Sequence, residues 1–379
     1  MRKSLVIILS CFILGLLPAC TPQKSIDFEA EGFEKYHHTD EFSIYQKEEE
    51  YLIEISHPFP TATRAEYYQL FPAGQNATSI PEITQQIAYP ITSMAISSTT
   101  HYGYVEALGL VDFIIGASSP QLFYSDRFQS NLDSGMINPI GSTHFNKEIL
   151  IKSNVNVLFS YALDQASFDE IASLRESGIK VVLVSEFLET DPLKKAEWLK
   201  FFALFFGEEK LKRSEAYLTS IGKQYRDIKE AVSHLPNKPK VLMGYPWKGV
   251  WHVSGGASYQ AQFFEDAGAI YPWAETKAVG SLPLDVEVVL VEGLDCDFWI
   301  NPGNKQSVDQ ITEEHADFAQ LKAVRKQQVY SNYARSKPSG ANDYWERGVV
   351  RPDLILADLV NIFHPQLLPD SALYFYKKI

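Results

Sequence analysis

Basic runs longer than a pair are missing from this chain, and cysteine is scarce, with three in 379 residues. The formal charge is −13 at pH 7. A surface without clustered cations has little with which to neutralise phosphates, so no nucleic-acid partner is expected. Catalytic signatures are missing too. The chain has no G-x-S-x-G elbow, no Walker loop, no H-E-x-x-H and no dinucleotide fingerprint. Gly255-Gly256-Ala257-Ser258 matches a nucleophile loop only superficially, and no acid–base pair accompanies it. The reading is therefore a non-enzyme without a cofactor. An exported hydrolase or sensor is the rival from another class.

Hydrophobic residues make up 45% of the chain, charged residues 21% and aromatics 13%. That supplies two cores of ordinary size, and a single core of this length would be unusual. Arg2 and Lys3, the uncharged stretch 5–17 and the small Ala19 before Cys20 make an export signal over residues 1–19. The apolar part is too short to span a bilayer as a mature helix, which takes about 20 residues. Leu17-Pro18-Ala19-Cys20 resembles the lipobox of bacterial lipoproteins, which implies a lipid on Cys20, with Pro18 a departure from the usual small residue. Cys11 then leaves with the signal and Cys296 has no partner, so a disulfide framework is excluded. Removing Arg2 and Lys3 moves the charge to −15. Residues 20–39 read as the lipidated N-terminus and a polar tether, with His37 and His38 solvated. The expected location is the periplasmic side of the cell membrane.

Residues 40–72 alternate as antiparallel β structure around the charged turn Lys47 to Glu50. From about residue 87 short apolar strands alternate with helices that close on Gly109 and Gly178, the pattern of βαβ crossovers on a parallel sheet. The phrase repeats later: Val105-Glu106-Ala107-Leu108-Gly109 and Phe264-Glu265-Asp266-Ala267-Gly268 fill one slot in each half. Between the halves, residues 208–235 hold apolar side chains at steps of three, four and seven with no proline. They predict one amphipathic helix of roughly 40 Å. The expected architecture is α/β. An N-terminal lobe (40–207) and a C-terminal lobe (236–379), each with a mainly parallel sheet flanked by helices, are joined by one rigid linking helix.

Thr92 to Ser98 followed by Tyr104-Val105-Glu106-Ala107-Leu108-Gly109, then Ile140-Gly141-Ser142 and Glu148-Ile149-Leu150, resemble the helical-backbone (class III) substrate-binding proteins. Those proteins feed ferric siderophores, haem or vitamin B12 to ABC importers. The likeness covers residues 88–365. Asn154-Val155-Asn156 departs from the family's usual Lys-Pro-Asp, and Asn342 to Gly348 with Arg351-Pro352-Asp353 looks like a subgroup signature. The resemblance implies a monomer that works with a permease and a separate ATPase. It also implies two docking glutamates, which align with Glu148 and Glu287. Both carboxylates belong to predicted helix N-termini and would suit a two-fold cationic rim. For Glu287 the alignment can slip to Asp285 or Glu292.

Ligands of doubly wound sheets bind beyond the carboxyl ends of the strands, here between the lobes. Thr100, Tyr102, Ser142 and Tyr161 are the candidates from the first lobe, and Tyr245, Trp247, Trp251 and Arg335 from the second. Hydroxyls, ring faces and one cation suit a large, partly polar metal chelate or corrinoid, with ferric siderophore first and vitamin B12 and haem behind it. Trp247 and Trp251 read equally well as core aromatics, and Arg335 as the partner of a surface acid. His101 and His144 are the candidates for a bare-metal site, but no complete ligand set accompanies them.

Overall fold

The computed structural model describes residues 28–368 and 372–379. The export signal and Cys20 lie outside them. The chain enters through a five-stranded sheet, β1 (Glu34–His38), β2 (Phe42–Lys47), β3 (Glu50–Ile55), β4 (Glu66–Pro72) and β5 (Gln85–Tyr89), in that spatial order. The first four strands are antiparallel, as their alternation predicts, and β5 runs parallel to β4. Sheet formation starts earlier than expected. Phe28 and Phe33, from the predicted tether, are buried against Tyr45, Leu52, Tyr67 and Ile80.

The first lobe follows as β6 (Met94–Ile96), α1 (Thr99–Ala107), β7 (Ile114–Ala117), α2 (Asp126–Asp133), β8 (Asn138–Pro139), α3 (Lys147–Lys152), β9 (Val157–Ser160), α4 (Gln165–Glu176), β10 (Val181–Leu183) and α5 (Pro192–Leu204). Its sheet has the order β10-β9-β6-β7-β8 and is parallel throughout. Helix starts follow capping chemistry: Ser98, Asn146, Asp164 and Asp191 each accept a bond from a first-turn amide.

Helix α6 (Glu208–Ser233) is the predicted linker. Its first half gives Leu211, Tyr217 and Leu218 to the core of the first lobe, and its second half gives Tyr225, Ile228 and Val232 to the core of the second. One amphipathic stripe thus serves both cores, which ties the lobes more stiffly than a loop would.

The second lobe comprises β11 (Val241–Met243), β12 (Tyr245–Trp247), β13 (Val250–Ser254), α7 (Tyr259–Asp266), β14 (Ser281–Asp285), α8 (Val286–Gly293), β15 (Phe298–Ile300), α9 (Val308–Glu314), α10 (Lys322–Arg325), β16 (Val329–Ser331), α11 (Asp343–Glu346), α12 (Pro352–Phe363) and β17 (Lys377–Lys378). Strands β11, β15 and β16 are parallel and β17 closes the sheet antiparallel. The repeat of the first lobe is therefore abridged here. In its place stands a three-stranded antiparallel sheet, β12-β13-β14, whose hairpin turns at Lys248-Gly249, both with positive φ.

Candidate functional site between the lobes

The carboxyl ends of both parallel sheets face the junction of the lobes. There α1 packs against residues 346–349 so closely that a Cβ on Gly103 would lie 1.9 Å from the Glu346 carbonyl oxygen. Several polar contacts cross this junction. The Glu346 carboxylate, itself buried, accepts from the backbone N–H groups of Tyr124 and Ser125 just before α2. Lys337 pairs with Asp126 at 2.7 Å, and the Lys195 ammonium lies 4.5 Å from the ring centroid of Tyr259.

Beside these contacts stands a wall of cations and rings. The Arg335 guanidinium lies 4.6 Å from the Tyr374 ring and 5.6 Å from that of Tyr124, and Lys337 lies 5.2 Å from Tyr124. Asp343 holds Arg335 at 2.6 Å. Arg347 bonds the Tyr374 hydroxyl. Burial pushes the Glu346 carboxyl up to about 8, helped by nearby Asp343 and Glu106 and opposed by the two amide donors.

The structure separates the expected site residues into two groups. Thr100 is half-buried and lines a small inter-lobe cavity with Lys195, Tyr259 and Trp345. Ser142 is exposed on the loop after β8. Tyr161 stands at the end of β9, partly exposed, edge-on to His101 and Phe187. Trp247 is 68% exposed at the β12–β13 turn. Tyr245 stacks on Trp299, bonds Glu314 through its hydroxyl, and carries the Lys305 ammonium 4.6 Å from its ring centroid. Arg335 lies at the junction, and its acid partner Asp343 is buried instead of the surface acid expected.

Tyr102 and Trp251 do not belong to the site. Tyr102 is fully buried edge-on to the stacked Phe123 and Phe128 rings, its hydroxyl bonded to Ser125 and Glu106. The phase of α1 turns it inward. Trp251 is buried against Trp299 and Phe318 and donates to the Met243 carbonyl, because alternation along β13 points it to the core. His37 is a further correction: as part of β1 it lies 2.9 Å from Glu197, largely buried instead of solvated.

The histidine pair assembles no metal centre. His101 is wholly buried with both ring nitrogens unpartnered, and burial lowers it to about 4, which keeps it neutral; the Phe159 carbonyl is near enough to favour charge but outside hydrogen-bond geometry. His144 is exposed beside Glu170. Among the described residues no group of three or more His, Cys, Asp or Glu could hold a metal ion. A larger hollow of about 870 Å³ opens at the other end of the second lobe, by Pro236, Asp297 and His364, where the strands begin. The junction is the better candidate, since rings and cations from both lobes converge there.

Glu148 and Glu287 are both exposed in the first turns of α3 and α8, helices that each precede the strand paired with their sheet's first strand. Tyr124, Lys195, Tyr259, Trp345, Glu346 and Arg347 were not expected. Three of them belong to the subgroup signature 342–348, which carried a signal without a role.

Residues 157–334 match the family described as periplasmic binding protein. Just under half of the chain thus resembles the periplasmic binding proteins. A lipoprotein of Methanocaldococcus jannaschii with no assigned function is 25% identical over 305 residues, 77% of this chain and 70% of its own. The haem-binding protein RhuT of Roseiflexus superposes with a TM-score of 0.55 at 17% identity, over 73% of this chain and 99% of that one. A protein of an ABC-type Fe3+-hydroxamate transport system from Saccharomonospora viridis gives 0.54 at 14% identity, over 73% and 94%. The likeness to these structures is one of two-lobed fold. No helix among the described residues is long and apolar enough to cross a membrane.

Proposed function

We propose that this binding protein is the capture component of an ABC importer and takes a metal chelate, a ferric siderophore first, between its lobes. The observation that carries this reading is the wall of Arg335, Lys337, Tyr124 and Tyr374, built from both lobes. Guanidinium and ring faces suit a flat or globular anion with delocalised charge. Thr100, Ser142, Tyr161, Tyr245 and Trp247 complete the surface offered to the cargo. Glu148 and Glu287 dock the permease, and a lipid on Cys20 keeps the protein at the periplasmic face of the membrane, as a monomer. The neighbours in fold, a haem-binding protein and a hydroxamate-transport protein, support a chelate without choosing one.

The test is a thermal-shift and tryptophan-quenching screen of the chain from residue 21. The panel is a ferric trishydroxamate, a ferric triscatecholate, haem, cyanocobalamin, and bare Zn²⁺ and Mn²⁺. A cargo at a hundred times its dissociation constant stabilises the folded state by about 2.7 kcal/mol. A shift with a ferric chelate that is lost in Arg335→Ala supports the proposal. A shift with cyanocobalamin or haem alone replaces the siderophore by that cargo. A shift with bare metal alone, or with nothing on the panel, overturns it.

A further inference from the structure

Glu346 is only 1% exposed, yet its carboxylate bonds no side chain of its own lobe. Both oxygens are spent on two backbone amides of the other lobe, 222 and 221 residues away in sequence. A buried carboxylate is costly unless its oxygens are bonded, so these two bonds govern whether residue 346 can stay where it is. The amides belong to Tyr124 and Ser125. Tyr124 carries the ring under Arg335 and Lys337, and its neighbour Phe123 is locked by stacking on Phe128, with centroids 4.0 Å apart. On the other side of Glu346, its backbone is pressed against Gly103 of α1, where no side chain fits. One residue is thus gripped from two elements of the opposite lobe.

We propose that Glu346 is the positioning residue of the cleft: its carboxylate fixes the gap between the lobes and holds Tyr124 in the wall that meets the cargo. Its near neighbours do other work. Asp343 serves Arg335, Glu106 serves Tyr102 and Ser125, and Arg347 bonds Tyr374. None of them reaches the two amides. The cleft therefore has a width set before any cargo arrives, which lowers the ordering cost of binding.

The experiment needs no cargo, so its failure and the failure of the importer reading are distinguishable. Hydrogen exchange is followed by mass spectrometry in the chain from residue 21 and in Glu346→Gln, which keeps the shape but turns an N–H donor toward an amide. Nitroxides on Lys152→Cys and Glu292→Cys, with Cys296 buried, report the inter-lobe distance distribution. The expected result is roughly tenfold or faster exchange confined to peptides covering 123–128, with a broader distance distribution. Glu346→Asp, one methylene shorter, is expected to give an intermediate result. Unchanged exchange at 123–128 with an unchanged distance distribution overturns the proposal. Acceleration spread evenly over both cores also overturns it, because Glu346 would then be an ordinary stabilising residue.

Discussion

The two lobes share a βαβ phrase but carry their additional β structure in different places. In the first lobe the extra sheet lies against the outer edge. Strand β10 ends the parallel sheet and would present unpaired backbone groups. The Tyr68 hydroxyl accepts from Leu183 N–H, Gln85 bonds Val181 N–H and the Ile179 carbonyl, and Arg175 donates to the Val181 carbonyl. Glu66 of β4 locks Arg175 at 2.6 Å in a largely buried pair. In the second lobe the extra β structure is the β12–β13–β14 sheet that follows β11, and it exposes Trp247. Side chains that close an open sheet edge are protection against mispairing. Trp247, by contrast, protects no sheet edge and is 68% exposed at a hairpin tip. The first addition closes a sheet edge, and on the proposed reading the second faces the cargo.

The largest expected effect tests the structural half of that contrast. Glu66→Ala leaves the Arg175 guanidinium buried without its carboxylate and should cost about 3–5 kcal/mol, read as a lower urea midpoint. Cargo affinity of the fraction that remains folded should be unchanged. If affinity falls as well, the N-terminal sheet also shapes the cleft.

An effect on the order of 3 kcal/mol for each group is expected from pH and separates the junctions. Three buried acids are held above their ordinary range, each mainly by burial: Glu346 to about 8, Glu189 to about 7 and Asp358 to about 6. An acid with a raised folded pKa adds stability below its unfolded value near 4.5 or 3.8, and that stability is lost as pH rises through the folded value. His101, lowered to about 4, acts in the opposite sense: its contribution is present above about 6.5 and is lost as pH falls through about 4. Denaturant midpoints should therefore peak near pH 5 and decline toward pH 8. Glu189 accepts from Thr39, the Asp40 amide and Trp198, where the N-terminal sheet meets α5. Glu189→Gln should remove the part of the decline that runs from about pH 4.5 to about 7, and Glu346→Gln the part that runs on to about 8. A profile indifferent to both variants would show that neither junction sets the pH response.

Much of this fold was legible because its periodicities are strong. Residues 208–235 repeat apolar side chains over seven turns, and a helix ending at Ser233 follows. Elements fixed by distant contacts were not legible. Glu34–His38 is a polar edge strand whose order comes from Tyr36 bonding Glu215 and His37 meeting Glu197, neither nearby in sequence. The β12–β13 hairpin had a turn signal in Lys248-Gly249, hidden by Pro246 in a short strand. The site was less legible still. Its polar and aromatic residues could be named from strand ends, but helix phase decided that Tyr102 is core while Thr100 is not. Glu346 could not be found, since nothing near it announces a partner 222 residues away.

Trp247→Ala tests the cargo half of the contrast. The indole is mostly exposed and held only by a hairpin, so stability should change by less than about 0.5 kcal/mol. The bound cargo would cover it, and its loss should weaken binding about tenfold, read by titration of the intrinsic fluorescence. An unchanged affinity would place the cargo away from the hairpin and leave the Arg335 wall as the whole site.

The smallest effect on the isolated protein is expected at Glu148 and Glu287, and its smallness is what makes it informative. Both carboxylates are exposed, and each adds only a first-turn helix-dipole contribution of a few tenths of a kcal/mol. Glu148→Ala and Glu287→Ala should leave the urea midpoint and cargo affinity unchanged within about 0.5 kcal/mol. On the proposed docking role their effect belongs to the encounter with the permease, where a rim charge governs association rate and its salt dependence. Cargo-stimulated ATP hydrolysis by the importer in proteoliposomes should therefore fall in each single variant and further in the double variant, most steeply at low salt. The two lobes present these carboxylates on equivalent helices, so the single losses should be similar in size. A loss with Glu148→Ala alone would mean that the abridged second lobe docks through a different residue, with Asp285 and Glu292 the next to replace.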